Sequence, residues 1–138
     1  MNYMGSAYYF AFASLLAVIS ILLVFKVNVE KLKENPKEVG QIQTKFFIGV
    51  AIAEAIPIIL VVFGLMDLTA VSSMEELYIP GLIVILSLVF APFFVFLQKS
   101  VGVPEDAKQV VNTFSFIGMA MANAIPFISL VGLIMMLP

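Results

Sequence analysis

Four long apolar stretches alternate with short polar ones along this chain. Residues 7–25 are uncharged and end at Lys26. Residues 46–66 contain one ionisable side chain, Glu54. Residues 79–97 contain Pro92, and residues 110–137 carry Asn123 near their middle. A bilayer core about 30 Å thick takes roughly 20 apolar residues of helix, so each stretch is long enough to cross it. In lipid every backbone polar group must be bonded inside its own segment, and the alternating pattern of a membrane β-barrel is absent, so the four stretches predict transmembrane helices. The fold class expected is an all-α membrane protein.

The polar connections differ sharply in charge. Lys26, Lys31, Lys33, Lys37 and Lys45 lie between the first two spans, and Lys99 and Lys108 lie between the last two. The middle connection, residues 67–78, has Asp67, Glu75 and Glu76 and no lysine. Because lysine-rich short loops stay inside, both lysine loops are expected in the cytoplasm, with the middle loop and both chain ends outside. No basic region precedes the first span, and it exceeds the apolar core of about 7–15 residues usual in a signal peptide. It reads as a retained helix of a multi-pass cell-membrane protein.

Composition narrows the function. The 138 residues are 62% hydrophobic and 12% charged, with no His, Cys or Arg, against about 25% charged in a soluble domain. A soluble enzyme and a nucleic-acid binder are excluded, as are thiol catalysis, disulfide scaffolds and the common His/Cys metal sites. No catalytic site is expected, and the immediate partners are lipid and other copies of the chain.

The chain also repeats itself. A shift of 69 positions lays TKFFIGVAIAEAIPIILVVFGLM, residues 44–66, over TFSFIGMAMANAIPFISLVGLIM, residues 113–135, and 12 of the 23 positions are identical. The chain therefore divides into two tandem helical hairpins, residues 1–66 and 67–138. Both loops fall on the same side, so the repeats are parallel, unlike the inverted repeats of many secondary transporters.

Candidate chemistry centres on Glu54. It lies eight residues into its span, about 12 Å deep at helical rise, and is the only acid inside any span. An ionised carboxylate at that depth costs about 2.5–3.5 kcal/mol on insertion scales. Desolvation thus favours the protonated form, and a group that is neutral in lipid and ionised beside water or a cation can carry a proton. The plainer role is a protonated carboxyl that hydrogen-bonds two helices together. Pro57 has no N–H for the carbonyl of Ala53, so a bare acceptor stands beside Glu54. Pro126 does the same to Ala122, beside Asn123. In the second hairpin Asn123 replaces the acid; an amide bonds but does not titrate, which leaves one active carboxyl per four helices.

Small residues recur at four-residue spacing: Gly49 with Ala53, Ala51 with Ala55, Gly118 with Ala122, and Ala120 with Ala124. Such faces let helix backbones approach closely, and here they are expected to pack copies of the chain together.

FIGVAIAEAIPII in the second span resembles the carboxylate-bearing outer helix of the rotary ATPase proteolipid family, whose members build the membrane rotor ring. The resemblance implies that four-helix copies assemble into a ring, that Glu54 is the ion-binding carboxylate, and that Asn123 occupies the equivalent place in the second hairpin. It implies further partners, an arginine-bearing stator subunit and a central stalk. In duplicated members of the family the surviving acid usually sits in the second hairpin; here it sits in the first. The family's inner helices carry runs of glycine, whereas the first and third spans here are bulky, which predicts a looser inner wall. The loop Arg-Gln-Pro of the family is replaced by Glu34-Asn35-Pro36 and Val103-Pro104-Glu105. A proton is favoured over sodium, because a sodium ion needs several oxygen ligands and only Ser14 and Ser20 of the first span are on offer. The competing function is a non-rotary structural or channel-forming oligomer that reuses the hairpin.

Overall fold

The structure, a computed structural model, describes residues 4–138. Residues 1–3, part of the uncharged lead into the first span, lie outside the described residues. Four helices carry the fold: α1 (Met4–Glu34), α2 (Val39–Met66), α3 (Tyr78–Ser100) and α4 (Lys108–Met135). All four are long and apolar enough to cross a membrane. Short 3₁₀ turns over Pro36–Glu38 and Glu105–Ala107 lead into α2 and α4. The turn and helix of the second hairpin thus sit 69 residues after those of the first, in the register of the sequence repeat.

Helix ends depart from the apolar boundaries in a consistent way. α1 does not stop at Lys26 but continues to Glu34, because Val29 and Leu32 remain fully buried beyond the lysine. Hydropathy marks where lipid ends, while a helix runs on as long as one face is packed. α3 ends at Ser100, and Gly102 follows with φ of 66°. That left-handed backbone, which costs a glycine little, returns the chain through Val103 and Pro104 to α4.

α1 stands at the centre. It packs along α2, α4 and α3, while α4 also packs on α3; α2 touches α4 lightly and makes no substantial contact with α3. The order across the bundle is therefore α2, then α4, then α3, with α1 behind all three. Phe10, Ile21 and Phe25 of α1 are wholly buried. By contrast α2 leaves a broad apolar face uncovered, with Ile52 72% exposed and Ile56 63% exposed.

Both ends of the bundle are tied. Opposite the lysine loops, Ser6 Oγ donates to the Asp67 carbonyl at 2.6 Å and Val71 N–H donates to the Met136 carbonyl at 2.9 Å. Glu76 accepts from the N–H groups of Ser72 and Ser73 and closes the middle loop. At the lysine end, Lys33 is almost fully buried; its Nζ donates to the Val101 carbonyl at 2.8 Å and pairs with Glu30 at 3.2 Å. Lys26 Nζ donates to Gln98 Oε1 at 3.2 Å, a second tie between α1 and the end of α3.

Candidate functional site

Glu54 stands in the middle of α2, half-buried on the edge of that helix's uncovered face. It takes part in neither ion pair of the described residues. Asn123 occupies the matching place in α4, also half-buried, with its Oδ1 buried and lacking a hydrogen-bond partner. The carboxyl and the amide thus hold matching positions in α2 and α4, which touch lightly.

The prolines leave the helices continuous. Pro57 and Pro126 are buried within α2 and α4. With no N–H at either position, the Ala53 and Ala122 carbonyls lose their helical donor. Ala53 is half-buried and Ala122 is wholly buried, so the bare acceptor beside Asn123 lies in the core and the one beside Glu54 lies nearer the surface. Ser14 is fully buried, and its hydroxyl donates to the Phe10 carbonyl of its own helix at 3.0 Å. Its proton is engaged there, though its lone pairs stay available. Ser20 is half-buried. Among the described residues no cluster of three or more His, Cys, Asp or Glu could hold a metal ion.

The small-residue stripes are divided between two opposite faces, and this corrects the expectation that all of them pack copy against copy. Gly49 and Gly118 turn inward onto α1. A Cβ at Gly49 would come within 2.7 Å of Val24, and one at Gly118 would strike the ring of Phe25. Gly64 and Gly132 seat Phe10 in the same way, at 3.0 and 2.5 Å. Ala122 shares this inner face, whereas Ala51, Ala55 and Ala120 are exposed on the outer one. The glycines thus accept the bulk of α1 within the chain. What α1 lacks in glycine, α2 and α4 supply.

Three features carried no sequence signal of their own. Phe114 of α4 lies between Phe25 of α1, stacked at 5.4 Å, and Phe46 of α2, edge-on at 4.9 Å. Lys33 is a clasp between hairpins rather than a solvated loop charge. Ser115 and Ser129 of α4 are buried with no partner for either hydroxyl. Polar residues on the apolar, inward phase of α4 are the one pattern that could have flagged the serines.

Comparison with known proteins places the Glu54 hairpin. The family model for the ATP synthase c-subunit matches residues 4–66. The ATP synthase c-subunit of Alkalihalobacillus alcalophilus is 36% identical over 64 residues, 46% of this chain and 90% of that protein. Its namesake from Enterococcus hirae is 37% identical over 71 residues, 51% of this chain and the whole of that protein. A third, from Halalkalibacterium halodurans, is 34% identical over 62 residues, 45% of this chain and 89% of that protein. No solved structure matches the chain.

Proposed function

Since the chain belongs to the ATP synthase c-subunit family, we propose that it is a rotor-ring proteolipid that carries protons across the membrane on Glu54. One observation supports this most: the only carboxyl in any apolar span sits in mid-helix, on the partly open side of α2, within the segment that the family model matches. Buried and protonated, the carboxyl crosses the apolar environment as a neutral group. Beside water or a cation it ionises and releases the proton. Ala53 and Pro57 shape the local backbone, since the freed carbonyl is an acceptor for the carboxyl proton or a water. Asn123 holds the equivalent place in the second hairpin without titrating.

The counter-charge for release must come from outside this chain, which has no arginine and no lysine within a span. A neighbouring protein presenting an arginine to the α2 face fits that need, with a stalk on the side of the lysine loops. The lysine asymmetry supports a cytoplasmic position for those loops. The proton is preferred to sodium because Ser14 and Ser20 make a sparse oxygen cage.

The test is Glu54→Gln in reconstituted vesicles. Proton conduction and modification by a hydrophobic carbodiimide, to whose central carbon a protonated carboxyl adds as its proton passes to nitrogen, are both expected to be lost while the assembled particle keeps its size. Normal conduction by this variant would overturn the carrier role. A dissociated particle would make the carboxyl a structural tie.

A further inference from the structure

The groove between α3 and α4 changes character in layers. At the lysine-loop end stands Lys99, half-buried. Its Nζ donates to Asn112 Oδ1 at 2.9 Å and lies 5.7 and 5.8 Å from the ring centres of Phe96 and Phe116. Lys99 belongs to neither ion pair of the described residues, whereas Lys108 nearby is already paired with Glu105. An ammonium has three N–H donors, so Lys99 keeps donors for a further acceptor. Lys99 and Asn112 are shared by a polar cleft, which also takes in Ser100, Lys108 and Gln109, and by an apolar cavity of about 300 Å³. The cavity runs past Ser115 to Pro92, Val95 and Met119, and no carboxyl lines it.

Ser115 is the second fixed point. It is 2% exposed, lines the cavity and has no hydrogen-bond partner for its Oγ. A helical serine can satisfy itself by donating to the carbonyl four residues back, as Ser14, Ser87 and Ser100 do here. Ser115 does not. A lone water needs about two to four polar partners, and below the Lys99–Asn112 layer Ser115 is the only polar residue that lines the cavity. It lies about 4.5 Å deeper than Asn112 at helical rise. From the loops inward the order is thus cation, hydroxyl donor, hydrocarbon.

The groups of a phospholipid follow the same order: phosphate, ester carbonyl, acyl chain. We propose that the α3–α4 groove binds an anionic phospholipid from the leaflet that meets the lysine loops. Its phosphate sits on Lys99, one ester carbonyl accepts from Ser115 Oγ, and the attached acyl chain fills the cavity against Val95 and Met119. Basic pockets between membrane helices suit anionic headgroups, and each nearby lysine adds attraction. A zwitterionic head would bring a further cation up to Lys99 and Lys108. A fatty acid with its carboxylate on Lys99 would lay methylenes against Ser115 and leave the buried hydroxyl unpaired, which is costly. The seat belongs to the second hairpin and does not involve Glu54, whose helix makes no substantial contact with α3. It therefore stands or falls apart from the proton reading.

The probe is phosphatidylglycerol with a photoactivatable group on one acyl chain, diluted into phosphatidylcholine vesicles that hold the full-length protein. Adducts mapped by peptide mass are expected on residues 92–96 and 115–119. Unlabelled diester phosphatidylglycerol is expected to compete about fivefold better than phosphatidylcholine, the attraction of one lysine. It is expected to compete about two- to tenfold better than its diether analogue, which has no ester carbonyl to accept the hydrogen bond. Lys99→Gln should erase the first preference and Lys99→Arg should keep it, while Ser115→Ala should erase only the second. Lys45 is exposed and outside the groove, so Lys45→Gln should change neither. Adducts spread evenly over the exposed helix faces would overturn the site, as would equal competition by phosphatidylcholine, which means annular lipid only. A groove that takes no label because a second copy covers it would overturn it as well. Oleate competing as strongly as phosphatidylglycerol would make a fatty acid the occupant and overturn the proposal. So would loss of the anionic preference in Lys45→Gln, a mere surface charge, or in Lys99→Arg, a structural role for Lys99. Equal competition by diether and diester forms would overturn the Ser115 contact; that arm and the oleate arm use the unsubstituted protein.

Discussion

Replacing Gly118 with alanine tests how the core is built. Alanine should favour a helix over glycine by about 0.5–1 kcal/mol, so a glycine with free space around it is improved by the change. Gly118 has none: the new Cβ would meet the Cδ1 and Cε1 atoms of Phe25. That ring has little freedom to withdraw, because it is wholly buried, stacked on Phe114 and edge-on to Phe46 at 6.3 Å. Overpacking of a fixed core costs about 1–3 kcal/mol, so Gly118→Ala is expected to be destabilising by about 1–2 kcal/mol net. Gly81 and Gly40 are the controls, since nothing lies within 4 Å of a Cβ at either; alanine there should be neutral or stabilising by up to about 1 kcal/mol. Gly49→Ala should fall between, because Val24 is only half-buried and can shift. The assay is reversible unfolding of the detergent-solubilised protein, followed by circular dichroism. Adding Phe25→Leu to Gly118→Ala should recover part of the loss through a coupling energy of the opposite sign. If Gly118→Ala behaves like Gly81→Ala, or if Phe25→Leu adds its full cost to it, the ring-on-glycine account is refuted.

Two further outcomes are expected. Lys33→Met keeps the stem but removes the donor to the Val101 carbonyl, and it should destabilise the tie between hairpins by about 1.5–3 kcal/mol, the range for a hydrogen bond to a charged group; hydrogen exchange should quicken around residues 100–104 while the centre of α1 stays protected. Cysteines introduced at Lys37 and Ser73, both exposed, should report sidedness on intact cells, with an impermeant reagent reaching Ser73→Cys and sparing Lys37→Cys; the reverse pattern would overturn the orientation.

The spans and the repeat were legible in the sequence because lipid sets them: a run of apolar residues about as long as the bilayer core is a direct imprint of the solvent. Glu54 was legible for the same reason, as a charge placed where charge is costly. The faces were not. Gly49 and Ala51 are both small and two positions apart, so they lie on opposite sides of α2, and hydropathy is the same for a side that meets lipid and a side that meets Phe10 or Val24. α2 is apolar all round, which removes the phase signal that would mark its inner side in water. The burial of Lys33 was hidden on similar grounds. Its charge marks the end of the lipid, yet the packed extension of α1 to Glu34 carries it back against the second hairpin.

The central position of α1 also has a meaning in time. Phe25 leaves the ribosome about 90 residues before Phe114, the ring it stacks on; at the usual rate of synthesis of about 5–20 residues per second, roughly 5–20 s separate them. Phe10 waits longer still for Gly132. Through that interval α1 gains first α2 and then α3 but still lacks α4, and the rings that later meet α4 face lipid or whatever insertion machinery attends them. The first hairpin, for all that it carries the carboxyl, does not mature alone: it is α4 that finishes α1.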